Sequence, residues 1–231
     1  VNLFVSNEAQ LEVQGTTVGI SQTTAYPWDG KVEIELHPTE TKRFPLHLRL
    51  PGWSDNQPVP SDLYQYLDES PQQPTLSVNG KKIDFQTERG YAVLVRNWQK
   101  GDKITLELPM QVRRVVSNEA VTANAGRVAL QYGPVVYCAE WLDNGGQVNN
   151  LLLPDDANLQ VAFEPQLLGG VNVIRGQARA FRISDSGTDI ESTQQAFQAI
   201  PYALWAHRGT GEMQVWLNRT IKKIGINGGK K

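Results

Sequence analysis

The sequence predicts an all-β protein of two consecutive antiparallel β-sandwiches, jelly-roll-like in type, and three observations carry that expectation. Apolar and polar residues alternate at period two in one segment after another, short turns rich in Gly, Asn and Asp separate those segments, and 231 residues leave room for two units. The alternation runs through "VEIELH" (32–37), "PLHLRL" (45–50), "TLSVNG" (75–80), "YAVLVR" (91–96) and "KITLELP" (103–109). Between and around them, "WDGK", "VNGKK", "TERG" and "QKGDK" supply residues that accept positive φ or stabilise tight turns. Such a meander of short strands argues for a sandwich rather than an α/β fold.

One segment breaks the pattern. "VPSDLYQYLDES" (59–70) has Ser61 as an N-cap, Asp62 in the first turn and Leu63, Tyr66 and Leu67 at helical spacing, which predicts one short helix in a loop near 61–69. After "LPMQVRRVVSNEA" the texture changes. "NAGRVALQYGPVVYCAEW" (124–141) reads as a long apolar strand pair broken at Gly133-Pro134, and strands follow at "NLQVAFEP", "VNVIRGQARAF", "QAFQAIPYALWAH" and "EMQVWLN". The expected boundary lies near 117–124, giving a first sandwich at 1–118 and a second at 119–231 with a flexible tail at 220–231. The polar stretch "ISDSGTDIESTQQA" (183–196) reads as a surface loop.

Composition narrows the function. Charges are interspersed and sum to −2, unlike the basic footprint of a nucleic-acid binder. No apolar run reaches the roughly 18 residues of a membrane helix. The single cysteine, Cys138, closes no disulfide within the chain, and with three scattered histidines it assembles no Cys/His zinc site. A chain that starts "VNLFVSNEAQLEV" without Met reads as a piece of a longer protein, which leaves the compartment open.

Nucleophile and phosphate motifs (GxSxG, HExxH, GxxxxGK[ST]) are missing, and His37 and His47 sit on alternating strands. Glu140, beside Trp141, and Glu212 are the acids worth testing as a glycosidase pair. Exposed aromatics can serve as platforms for sugar rings, and Tyr26, Trp28, Trp53, Tyr64, Trp98 and Trp205 are the candidates. Those at strand ends could equally plug a core. Asp29 follows Trp28 in its turn. "IPYALWAHRGTGEMQVW" (200–216) offers His207, Arg208 and Glu212 as base, clamp and acid. Its simplest reading is a hairpin around "RGTG" with Arg208 and Glu212 paired across the turn.

Taken in order, "QTTAYPWDGKVEIEL", "FPLHLRLPGW", "VNGKKI", "GYAVLVRNWQKGDKITLELPMQVRRV", "NAGRVALQYGPVVYCAE" and "IPYALWAHRGTGEMQVW" resemble the C-terminal part of glycoside hydrolase family 127, the β-L-arabinofuranosidases and their bacterial relatives. The resemblance covers nearly the whole chain. It implies a parent in which an (α/α)6 barrel does the chemistry and two β-sandwiches follow. A nucleophilic cysteine in a Cys-Cys pair, zinc ligands and an acid/base glutamate would all belong to the barrel, so Cys138 does not inherit the nucleophile's role. On this basis the chain is expected to be a non-catalytic accessory region, with no cofactor of its own, from a hydrolase acting on arabinose-containing plant glycans. Its expected partners are the parent's barrel, carbohydrate or a second copy of itself, and an exposed apolar face is expected where the barrel packs. A carbohydrate-binding module and a self-contained glycosidase are the rival readings.

Overall fold

The computed structural model describes residues 1–221 and 224, and almost every described element is a strand. The chain divides into two compact units: Val1–Pro60 with Glu69–Met110, and Ser61–Asp68 with the chain from Gln111 onward. The expected flexible tail falls mainly on 222, 223 and 225–231, outside the described residues.

In the first unit, Asn7–Val13 (β1), Thr16–Thr24 (β2), Lys31–Pro38 (β3) and Lys42–Arg49 (β4) are followed, after Tyr64–Tyr66 (β5) of the second unit, by five more strands. These are Thr75–Val78 (β6), Lys81–Ile83 (β7), Gln86–Glu88 (β8), Tyr91–Trp98 (β9) and Asp102–Glu107 (β10). One sheet has the order β1-β2-β3-β10-β6-β7 and the other β4-β9-β8. Consecutive β3 and β4 lie in different sheets, and so do β9 and β10. β3 pairs with β10 and β4 with β9, the wrapping expected of a jelly roll.

The period-two pattern decides which faces meet. Val32, Ile34 and Leu36 of β3 point inward while Glu33 and Glu35 point out. Ile104 stands opposite Ile34 and Val78, and Leu106 opposite Val32 and Leu76, so three strands present one apolar surface. Phe44, Leu46 and Leu48 of β4 and Ala92 and Leu94 of β9 complete the core. Trp98 ends β9 with no exposed surface, its ring tilted against Phe44 and its indole Nε1 donating to the Phe44 carbonyl at 3.0 Å. It is a core plug, which removes it from the platform candidates. Gly30 lets the β2–β3 connection reach the chain after β10: a Cβ there would sit 2.1 Å from the Leu108 carbonyl oxygen.

The second unit contains β5 and nine later strands. They are Val112–Ser117 (β11), Arg127–Tyr132 (β12), Val135–Glu140 (β13), Leu151–Leu152 (β14), Gln160–Glu164 (β15), Val171–Ile183 (β16), Ile190–Pro201 (β17), Met213–Gln214 (β18) and Leu217–Asn218 (β19). Pairing runs β12-β13-β17-β16-β14-β19 and returns from β19 to β12, so this circuit closes on itself. All its pairs are antiparallel except the parallel contact of Leu152 with Asn218. Val128, Leu130, Tyr137, Ile174, Phe197 and Leu217 fill the interior.

Three expectations change. The helix near 61–69 is absent: Tyr64–Tyr66 is the strand β5, paired with β11 through Val115–Tyr66 and Ser117–Tyr64. The apolar repeat that matters here is two, not three to four. Tyr66 lies under the Arg113 guanidinium at 3.9 Å and bonds Gln131 through its hydroxyl, and Tyr64 stacks on Trp216 at 5.6 Å. A single helical turn between prolines has too few internal hydrogen bonds to compete with a strand partner. The expectation also placed β11 in the first sandwich, but it pairs with β5 and β12 in the second unit. Finally, 190–196 is strand rather than loop. β16 and β17 form one long ribbon whose tip is confined to 184–189, closed by the Ser184 amide donating to the Asp189 carbonyl at 2.8 Å.

Replacing Trp98 by Ala opens a cavity at the end of the first core. It is expected to cost about 3–5 kcal/mol, read as a lower urea midpoint for loss of the first unit's tertiary signal.

Candidate functional site

The residues singled out in the sequence fall into two separate groups, one in each unit. In the first unit, β4 ends at Arg49 and the chain turns through a 3-10 turn, Gly52–Asp55. Trp53 sits in that turn half-buried, packed against the first core, with its indole Nε1 donating to the Tyr26 hydroxyl at 3.3 Å. Tyr26 in turn meets Phe4 edge-on at 5.6 Å, and burial raises its phenol pKa, opposed by the bond from Trp53. Two sequence candidates thus act as one aromatic pair. Asp29 accepts a bond from the Lys31 amide at 2.7 Å and shapes its own turn, and Trp28 stands 44% exposed.

The turn is fastened on both sides. Asn56 adopts a left-handed conformation, and its side-chain amide bonds Ser70 twice, donating to the carbonyl at 3.2 Å and accepting from the amide at 2.9 Å. Ser54 Oγ donates to the Pro51 carbonyl at 2.7 Å and the Gln57 amide to the Gly52 carbonyl at 2.9 Å. Trp53 and Phe85 line a cleft of about 440 Å³ together with Arg49, Asp55, Gln57 and Gln73. None of these four polar residues was singled out in the sequence. The available signal was the dense proline punctuation of "LPGWSDNQPVP", which marks a stiff loop around a tryptophan.

In the second unit, "IPYALWAHRGTGEMQVW" does not form a hairpin. β17 ends at Pro201, a 3-10 turn covers Tyr202–Leu204, and both β17 and β18 pair with β13 rather than with each other. The pairing of Arg208 with Glu212 is also replaced. Arg208 reaches Glu140 Oε2 through Nε at 3.2 Å and Nη2 at 2.5 Å, and Asp143 through Nη1 at 2.9 Å and Nη2 at 2.5 Å. Glu140 is nearly fully buried, and its other oxygen accepts the Ala206 amide at 2.7 Å. Asp143 foremost, then Glu140, raise the pKa of Arg208 against the opposing effect of burial. Glu212 binds the amides of Val148 and Asn149 through one carboxylate oxygen at 2.9 and 3.0 Å. The physical reason is burial: Glu140, almost wholly withdrawn from water, needs a cation, whereas the half-buried Glu212 takes two main-chain amides.

This network anchors the loop that carries the remaining candidates. Trp205 lies parallel to Tyr202, ring centroids 6.3 Å apart and both rings 42% exposed, while His207 is exposed. Gly211 is required because a Cβ there would meet the Trp141 indole at 2.0 Å. Asp143, missed in the sequence, lies one helical turn beyond Glu140, a spacing that lets both carboxylates converge on one guanidinium. Cys138 is fully buried among Val171, Val173 and Ile200, and burial first, then Glu140, push its thiol up to about 12. Among the described residues no group of three or more His, Cys, Asp or Glu is placed to hold a metal ion, and no helix is long and apolar enough to cross a membrane.

The described fold is thus two all-β units, one with an aromatic-lined cleft and one with a buried ion network. The chain belongs to glycoside hydrolase family 127: residues 1–110 match the family model described as "Beta-L-arabinofuranosidase, GH127 middle domain", and residues 112–218 match "Glycoside hydrolase family 127 C-terminal domain". It is 35% identical over 230 residues to a non-reducing end β-L-arabinofuranosidase of Bifidobacterium longum, covering 94% of this chain and 32% of that protein. Among solved structures, a GH127 β-arabinofuranosidase superposes with a TM-score of 0.89 at 36% identity, over 97% of this chain and 35% of that one. A GH127 β-L-arabinofuranosidase from Geobacillus stearothermophilus T6 gives 0.81 at 40%, over 94% and 33%. The chain therefore spans about a third of the length of these relatives.

Arg208→Ala leaves Glu140 buried without its cation. It is expected to destabilise the second unit by about 3–5 kcal/mol in urea unfolding, with Arg208→Lys recovering only part because one ammonium cannot span both carboxylates. Cys138 is expected to resist a disulfide-exchange reagent at pH 8 in the native state and to react on unfolding, because burial withholds both access and the thiolate.

Proposed function

We propose that this chain is the non-catalytic, two-sandwich region of a β-L-arabinofuranosidase-type glycoside hydrolase acting on arabinose-containing glycans. The chemistry is assigned to the parent's barrel, and the sandwiches to supporting it. The observation that carries this reading is the occupation of the two acids best placed by sequence to act as a catalytic pair. Glu140 is consumed by Arg208 and the Ala206 amide, and Glu212 by the Val148 and Asn149 amides. A general acid needs a proton to give, and a nucleophile needs a free lone pair aimed at the substrate. The match to a middle and a C-terminal family domain, over about a third of the relatives' length, supports the same assignment.

Partners follow from the same reading. Leu3, Val5 and Leu11 stand more than half exposed in the first unit, as do Phe163 and Ile190 in the second. Apolar side chains left in water suit contact with the parent's barrel or a second copy of the chain.

The purified chain is expected to release no nitrophenol from 4-nitrophenyl β-L-arabinofuranoside above the uncatalysed rate, with or without added zinc. Turnover that disappears in a Glu140→Gln or Glu212→Gln variant retaining the native fold would overturn the proposal and restore the self-contained glycosidase.

A further inference from the structure

We infer that the Trp53 cleft of the first unit is a binding site for a neutral sugar. Two features of the cleft point to this ligand class and away from others. Its apolar lining carries two aromatic rings, Trp53 and Phe85, beside Leu50, Val59 and three prolines, and an aromatic ring matches the C–H face of a sugar. Its polar surface comes from Arg49, Asp55, Gln57, Gln73 and Thr87, whose side chains have no hydrogen-bond or ion-pair partner among the described residues. Amides, a guanidinium, a hydroxyl and a carboxylate together offer both donors and acceptors, which is what a polyhydroxylated ring demands. One cation and one anion in the lining balance, so a phosphate or a uronate gains no net attraction. The cleft's volume of about 440 Å³ falls within the range of small-molecule sites.

The site is also preorganised. Trp53 is held by Tyr26, the turn beneath it by the Asn56–Ser70 pair, and the walls include Pro58, Pro60 and Pro74, whose φ is fixed by their rings. A cleft built this way orders little on binding, so modest contacts suffice for measurable affinity. Phe85 precedes β8, and Thr87 lies within it. β8 is the edge of the three-stranded sheet. The inference stands on the cleft alone and does not depend on where the parent's chemistry resides.

The test is a titration of the 15N-labelled chain with methyl β-L-arabinofuranoside, arabino-oligosaccharides and xylo-oligosaccharides, following the tryptophan indole N–H signals. The expected result is a saturable shift of the Trp53 signal by at least one of these sugars in the millimolar range. Trp53→Ala, followed through the backbone amide signals of the labelled chain, should weaken binding at least about tenfold. Arg49→Ala and Gln73→Ala, which remove exposed side chains without partners, should each weaken it several-fold at an unchanged melting temperature, and Trp205→Ala should leave it unaltered. No shift up to tens of millimolar of any sugar overturns the inference, as does a shift shared equally by the other tryptophans. Because none of these readouts is hydrolysis, a failure here is distinct from a failure of the proposed non-catalytic role.

Discussion

The requirement that every buried backbone amide and carbonyl find a partner, while side chains alternate at period two, governs both units. In the first, that requirement is met by two sheets facing across one core, and the registers Ile104–Ile34 and Leu106–Val32 place apolar groups where the sheets meet. Edges remain there, and β1 keeps almost all of its side chains in water. The second unit meets the same demand differently: its circuit from β12 through β13, β17, β16, β14 and β19 returns to its start, so each of those strands has a partner on both sides along part of its length. Two-residue strands such as β14 and β19 persist because their neighbours on both sides are fixed.

Closure makes the second unit a rigid base on which a charged network can be buried. Glu140 lies at the end of β13, and its carboxylate is withdrawn from water by the chain returning from β17 to β18. That placement is unfavourable for a carboxylate alone and becomes tolerable only because Arg208 comes with the same loop. Loop conformation and charge satisfaction are therefore one event. Asp143 adds a second acceptor for the guanidinium, and the loop segment before Arg208 is fixed with Tyr202 and Trp205 parallel at its surface.

The all-β class and the order of the strands were legible in the sequence because period-two alternation is local: β3, β4, β6, β9 and β10 fall where "VEIELH", "PLHLRL", "TLSVNG", "YAVLVR" and "KITLELP" put them. The family was legible through long ordered strings. What escaped were features decided by a distant partner. Leu63, Tyr66 and Leu67 have helical spacing, yet Tyr66 is drawn into a strand by Val115, Arg113 and Gln131, all more than forty positions away. Arg208 and Glu212 stand close in sequence and invite pairing, yet Glu140 and Asp143, and the amides of 148 and 149, win each of them over. Local charge spacing carries no information about which carboxylate will be desolvated.

Trp53 and Trp98 make the same point for function. Trp98 ends β9 and Trp53 follows its partner strand β4, both indoles donate one hydrogen bond, and the sequence offered no reason to separate them. The acceptors differ. Trp98 donates to a main-chain carbonyl inside the core, so its whole ring is enclosed by the sheets that supply the acceptor. Trp53 donates to the hydroxyl of half-buried Tyr26, which holds the ring in place without covering it, and leaves part of its surface to a cleft whose polar side chains have no partner among the described residues. A tryptophan fixed at its edge and only half-buried keeps its capacity to bind, whereas one enclosed on all sides has spent it on stability.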